Sequence, residues 1–204
     1  MKYSDEPKPT PRAIIESAER HFAEYGFAGA SIRAIVKDAN VNLAAVHYHF
    51  GSKEGLFSAV LGRYAKPIVQ AQMANLDRKG NSGSELERIL RSFYEPPLQV
   101  VKAAGDKAPI VSQLLARSHT EFEPVSSIAN DIFSPAIEAY SGKLKQVTGL
   151  PQSELTWHFQ FVVGIVVSFL IGASRDDSGW TVDDALERLV KFGISGLGGT
   201  SKSR

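Results

Sequence analysis

The chain has 204 residues, 43% hydrophobic and 22% charged, with a formal net charge of +1. That length allows one sizeable domain, or a small module joined to a larger one, of ordinary soluble globular composition. It contains no cysteine, which excludes disulfides, thiol catalysis, zinc fingers and iron–sulfur clusters. Residues 1–66 hold nine Lys/Arg against seven Asp/Glu, and the remainder fourteen against fifteen. This asymmetry is too small to assign a nucleic-acid partner by charge alone.

Residues 1–10, rich in Pro and Lys, read as a disordered arm without the apolar run of a signal peptide. Pro11 suits the first turn of a helix. Ile14, Ala18, Phe22 and Tyr25 recur at helical spacing, and Gly26 stops that helix. Ser31 is an N-cap candidate for a short helix to about Asp38, with Ile32 and Ile35 facing inward. Asn40 suits a tight turn, because Asn tolerates left-handed backbone. Asn42 can cap a third helix to about Tyr48. Phe50-Gly51-Ser52-Lys53 makes a second turn, and Ser52 can cap a fourth helix. Residues 11–66 thus read as four helices joined by very short turns.

Pro67 is expected to bend or end the fourth helix. Residues 78–84, Arg-Lys-Gly-Asn-Ser-Gly-Ser, read as a loop and a domain boundary. Helices are expected near 85–95, 97–104, 109–120, 125–147, 153–172 and 181–196, with Pro96-Pro97 and Pro135 interrupting or kinking two of them. Residues 161–173 are the most apolar run and fall short of the roughly 20 residues that span a bilayer. A buried helix is expected there, in a cytoplasmic protein with no membrane partner. Residues 199–204 read as a disordered tail. The class is all-α, with no internal repeats.

The stretch His47-Tyr48-His49 invites a functional reading. On a helix, residues two apart point about 200° apart, so His47 and His49 cannot share a metal ion. His119 and Glu123 have the right spacing, but Pro124 follows and no further ligand converges there. No metal and no cofactor is expected. No elbow motif supports a nucleophile–base–acid triad, so no catalytic residue is assigned. Val46 and Phe50, four apart, share a core-facing side, and the three rings project at least partly away from it. Two short helices joined by a tight turn, the second bearing exposed rings, form a helix-turn-helix. Asn42, Leu43, Ala44 and Ala45 would then meet base edges, the small residues allowing close approach. His47, Tyr48 and His49 can reach phosphates or bases, with Lys53 and Arg33 as added cations.

Residues 12–57 resemble the N-terminal DNA-binding domain of TetR-family transcriptional regulators. The likeness lies in Ile15-x-x-Ala18-x-x-x-Phe22-x-x-x-Gly26-Phe27, in Ser31-Ile32-x-x-Ile35, and in Tyr48-His49-Phe50-Gly51-Ser52-Lys53-x-x-Leu56. It departs at Val36, Asn40, Ala45 and His47, where the family favours Ala, Gly, Thr and Tyr. The last two bear on which DNA sequence is read. The resemblance implies a three-helix DNA-binding domain, residues 11–66 here with the start of a connecting fourth helix. A larger helical ligand-binding and dimerisation domain, 67–198, follows. It also implies phosphate contacts by Ser31, Tyr48, His49 and Lys53.

The same resemblance implies a palindromic double-stranded DNA operator, a homodimer formed by the last two helices, and a small-molecule effector. For the dimer, Val166, Leu170, Leu186, Leu189, Val190, Gly193 and Leu197 are the candidates. For the pocket, aromatic and polar residues set into apolar helices are the candidates. They are Phe93, Tyr94, His119, Phe122, Phe133, Tyr140, Trp157, His158 and Phe161. Few acidic residues lie in these helices, which favours a neutral or anionic apolar effector. Residues 116–125 and 153–164 resemble regulators of lipid or acyl metabolism and point the same way. The functional expectation is a ligand-responsive regulator, most simply a repressor. A helical enzyme or carrier, or a protein-interaction module, are the competing classes.

Overall fold

A computed structural model describes residues 11–76, 78, 83–173 and 179–198. The expected arm 1–10, the tail 199–204 and most of the 78–84 loop lie outside the described residues. Four helices form the N-terminal head: α1 (Pro11–Gly29), α2 (Ile32–Asp38), α3 (Leu43–Phe50) and α4 (Lys53–Leu76). The body holds α5 (Glu85–Ala103), a short 3-10 turn (Gly105–Lys107), α6 (Ala108–Thr120), α7 (Val125–Thr148), α8 (Gln152–Ala173) and α9 (Val182–Gly198). Among the described residues every regular element is helical, as the all-α class requires.

The head closes on Phe22, Phe27 and Phe57. Phe57 meets the other two edge-on, with ring centroids 5.1 and 5.5 Å away. Ile14, Ile35, Val46, Leu56, Val60 and Leu61 are buried around them. Such edge-to-face packing adds about 0.5–1.5 kcal/mol per pair beyond area burial. The turns follow the residues that permit them. Asn40 adopts φ 53° and Gly51 φ 75°. Asn42 caps α3 by accepting from the Ala45 N–H at 2.9 Å, and Ser52 Oγ accepts from the Gly55 N–H at 3.2 Å. Ser31 occupies the N-cap of α2, but its hydroxyl makes no capping bond.

Three expected breaks are absent. α4 runs on through Pro67, α5 is continuous through Pro96-Pro97, and α7 through Pro135. In α5 the reason is visible. Pro97 cannot donate to the Phe93 carbonyl four residues back. Gln72 of α4 donates to it instead, at 2.9 Å, so the lost helical bond is replaced from a neighbouring helix. Tyr140 closes the same region. Its hydroxyl lies 3.0 Å from the Gln72 carbonyl and 2.9 Å from Ser92 Oγ. Burial pushes this phenol up to about 12.

Candidate nucleic-acid interface

The outer surface of α3 carries most of the residues singled out above. Asn42, Leu43, Ala44, His47, Tyr48 and His49 are exposed, and Tyr48 is 85% exposed. Ser31 and Arg33, at the start of α2, are exposed as well. Ala45 is a correction. It is buried with Val46, because position 45 lies on the inward side of α3, so its methyl is not offered to a groove. Asn42 is partly committed, since its carbonyl oxygen is spent on the cap and only its amide nitrogen faces outward chemistry.

His47 Nδ1 lies 3.0 Å from the Gly51 carbonyl. A carbonyl only accepts, so Nδ1 carries the proton and Nε2 is the nitrogen left to meet an outside group. The bond also ties α3 to the turn that follows it. Lys53 is only partly exposed. Its ammonium sits 4.7 Å from the centre of the Phe27 ring and 3.5 Å from the Ala28 carbonyl. Desolvation there lowers its pKa below the ordinary lysine value. Lys53 therefore braces the head as well as standing beside α3.

The α2 side of the head is organised by Asp38. Ser17 Oγ lies 2.8 Å from Asp38 Oδ2 and 3.0 Å from the Ile35 carbonyl. Arg20 Nη2 lies 2.6 Å from the same carboxylate oxygen. The Ser17 hydrogen bond first, and then that of Arg20, hold the Asp38 carboxyl below the usual aspartate range.

Residues that the sequence reading did not single out join head to body. Glu19 of α1 is fully buried. Its carboxylate lies 3.0 Å from Arg63, 2.8 Å from the Tyr64 hydroxyl and 3.1 Å from Lys107. At the far end of α1, Arg117 of α6 donates to the Ala23 and Glu24 carbonyls at 2.9 and 3.0 Å. Glu121, paired with Arg117 at 2.8 Å, accepts from the Phe27 N–H at 3.0 Å. The i,i+4 pair was visible in sequence; its partners, more than ninety residues away, were not.

A cavity of about 470 Å³ lies among α4, α5, α6, α7 and α8. Of the nine pocket candidates, Phe93, His119 and Phe133 line it. Ile68, Leu115, Val163 and Val166 supply much of the apolar wall, and Gln72, Glu121, Asn130 and Gln160 supply polar atoms. The other candidates are corrected by their positions. Tyr94 and Tyr140 are buried in the helix packing outside the wall, and burial raises the Tyr94 phenol. Phe122 and Trp157 are exposed, at 89% and 64%. His158 and Phe161 line a different hollow of about 660 Å³ between α8 and α9. Among the described residues the wall carries one acidic residue, Glu121, and no Lys or Arg. Glu121 lies just beyond the end of α6 and is paired with Arg117.

Most of the dimer candidates lie on the inward sides of their helices. Val166, Leu170, Leu186, Leu189 and Val190 are buried within the chain's own core; Gly193 and Leu197 are buried as well, but they line the hollow between α8 and α9. A Cβ on Gly193 would lie 2.9 Å from Leu90 of α5, so that glycine serves packing inside the chain. The opposite sides of α8 and α9 are left open. There Trp157, Phe161 and Phe192 are 64%, 59% and 64% exposed, beside Gly164, Ser168 and Gly196. α8, with 22 residues, is by length and composition apolar enough to cross a membrane. Its one face packs on the core through Leu155, Phe159, Val162, Val166 and Leu170.

This arrangement, a short exposed helix presented by a four-helix head on a larger helical body, defines a helix-turn-helix regulator. The chain belongs to the TetR family of bacterial transcriptional regulators. Residues 14–60 match the family described as bacterial regulatory proteins, tetR family, and residues 91–196 match the Tetracyclin repressor-like C-terminal domain. The chain is similar to the HTH-type transcriptional repressor AcnR of Corynebacterium glutamicum, 33% identical over 93 residues. That match covers 46% of this chain and 45% of that protein. The HTH-type transcriptional regulator UidR of Escherichia coli is 35% identical over 129 residues, covering 57% of this chain and 64% of that protein. The chain thus matches about half to two thirds of these relatives' length. Among solved structures, the transcriptional regulator FadR of Bacillus subtilis in complex with stearoyl-CoA has a TM-score of 0.68 at 15% identity. The comparison covers 92% of this chain and 99% of that one. A TetR-like regulator from Rhodococcus has a TM-score of 0.64 at 21% identity, covering 95% and 99%. At these identities the structural likeness establishes the fold alone.

Proposed function

We propose that this regulator is a ligand-responsive repressor which binds a palindromic operator as a homodimer and is released by a small, largely apolar effector. The observation that carries the reading is the exposed surface of α3, held by a rigid head that is clamped to a body with a cavity. Leu43, Ala44 and His47 are assigned to base edges in the major groove. Ser31, Arg33, Tyr48, His49 and Lys53 are assigned to phosphates. Asn42 shapes the start of α3 and offers its amide nitrogen. A repressor named as such among the relatives supports that direction of regulation.

The homodimer forms through the open faces of α8 and α9, and its twofold axis sets two recognition helices about 34–36 Å apart. Covering these faces removes the exposed aromatic residues from water, which suits a protein of the cytoplasm. The effector occupies the cavity behind Phe93 and Phe133. Its apolar wall supports a lipid- or acyl-like class, as does the stearoyl-CoA held by the FadR neighbour. Regulation follows from linkage: an effector that prefers a head orientation unsuited to DNA weakens operator binding by its ratio of affinities for the two states. The protein is proposed to be a regulator without catalysis or cofactor.

The test is duplex binding followed by fluorescence anisotropy at stepped salt concentrations. Lys53→Ala is expected to flatten the salt dependence by about one unit per half-site, and His49→Ala, which removes a hydrogen-bonding ring, to weaken binding to all duplexes alike. Ala44→Val is expected to change which duplexes are preferred. Salt slopes, affinities and preferences untouched by all three would remove α3 from the interface.

A further inference from the structure

Helix α1 contains a broken hydrogen bond, and α6 repairs it. At Gly26 the backbone leaves the helical region, with φ 71° and ψ 178°. In an unbroken helix the Phe27 N–H would donate to the Ala23 carbonyl. Instead the Phe27 N–H donates to Glu121, and the Ala23 carbonyl accepts from Arg117. The ion pair is inserted into the break. Gly26 makes room for it: a Cβ there would lie 2.6 Å from Glu121 Oε1 and 2.7 Å from Arg117 Nη1. Phe27 passes the constraint on. Its ring packs on Phe22 and Phe57 and carries the Lys53 ammonium at the first turn of α4, beside α3.

Glu121 has a second neighbour, the cavity. It lines the wall with Leu115, Ser118 and His119. The Ser118 hydroxyl is already donated to the Leu115 carbonyl. We infer that Glu121 is shared between the head and the effector, and that the effector is an apolar chain ended by a group that donates hydrogen bonds. The inference rests on the proposal that this cavity takes an effector. A carboxylate only accepts, so Glu121, although paired with Arg117, rewards an amine, hydroxyl or amide over a second acceptor-only group. A donor drawn to Glu121 competes with the Phe27 N–H and loosens the repaired break. Occupancy is thereby converted into freedom of the head at Phe27.

The full chain is titrated with decylamine, decanol and decanoate, below their micelle concentrations, by calorimetry. Hydrogen exchange at the Phe27 amide is followed in parallel. Decylamine is expected to bind at least about tenfold more tightly than decanoate. Decylamine and decanol are each expected to raise exchange at Phe27. Glu121→Gln, which keeps an accepting oxygen for Phe27 but no charge, is expected to cut the amine preference to about threefold or less. Without any ligand, Glu121→Ala is expected to raise Phe27 exchange while amides of α8 stay protected. Decanoate binding as tightly as decylamine, or Phe27 exchange unchanged by bound amine, overturns the inference and leaves the cavity reading standing. If none of the three chains binds, the cavity reading falls and this inference falls with it.

Discussion

Gly55 lies in the first turn of α4, where a Cβ would sit 2.0 Å from the Phe50 carbonyl oxygen. Real Cβ contacts stay beyond 3.0 Å, so Gly55→Ala demands a shift of about 1 Å. The obstacle is backbone at the end of α3 and cannot rotate away. Overpacking of this kind costs about 1–3 kcal/mol, and more when backbone must move. The usual gain of Ala over Gly inside a helix, about 1 kcal/mol, offsets part of that. The net expectation is a loss of about 2 kcal/mol, read as a lower urea midpoint at unchanged slope. Because the displaced residues join α3 to α4, duplex affinity should fall too. Gly62→Ala is the internal control. Its Cβ would meet only the flexible Lys66 side chain, at 3.2 Å, so it should be neutral or stabilise by up to about 1 kcal/mol. Equal stability of the Gly55→Ala protein and wild type, or equal damage at both sites, would refute the reasoning.

Other consequences can be checked with the same unfolding assay. Glu19→Ala leaves Arg63 and Lys107 without their carboxylate; both can turn to water, so the expected loss is about 2 kcal/mol, below the usual range for a broken buried pair. Unchanged stability would deny that this cluster joins head and body. The depressed Asp38 carboxyl contributes stability that is present above the ordinary aspartate range and is lost as pH falls through its lowered value. Asp38→Asn should therefore lower stability near neutral pH and flatten the acid limb of midpoint against pH; an identical acid limb would contradict the assignment. Gly164 faces the open hollow of α8 and α9, with no atom within 4 Å of where a Cβ would sit, so Gly164→Leu should leave the monomer folded. If that face is the dimer contact, light scattering should report loss of the dimer, and a persistent dimer would place the contact elsewhere.

The head was legible because its instructions are local. Asn42 caps the helix that it immediately precedes, Asn40 and Gly51 take the turns, and Ile35 and Val46 follow helical period. Long-range compensation was not legible. Pro97 reads as a break until Gln72, distant in sequence, is seen to satisfy the carbonyl it abandons. The inward face of α8 is not legible in sequence, because a helix that is apolar nearly all round carries no phase in its composition. Packing against the rest of the fold chose Val166 and Leu170 for the interior and left Phe161 outside. Arg117 and Glu121 look like an ordinary surface pair at i,i+4 spacing. Only the approach of α1 reveals what they hold.

In the proposed dimer, α3 presents a DNA-reading surface twice. The most direct test is selection of binding sites from random duplex DNA by the purified full chain at low salt, with sequencing of the retained molecules. The selection is repeated after denaturation and refolding to remove any bound effector. The expected outcome is an inverted repeat with half-sites about one helical turn apart, and loss of that repeat in the His47→Ala, Tyr48→Ala double variant. No enrichment from the refolded protein, or the same repeat from the variant, would contradict it.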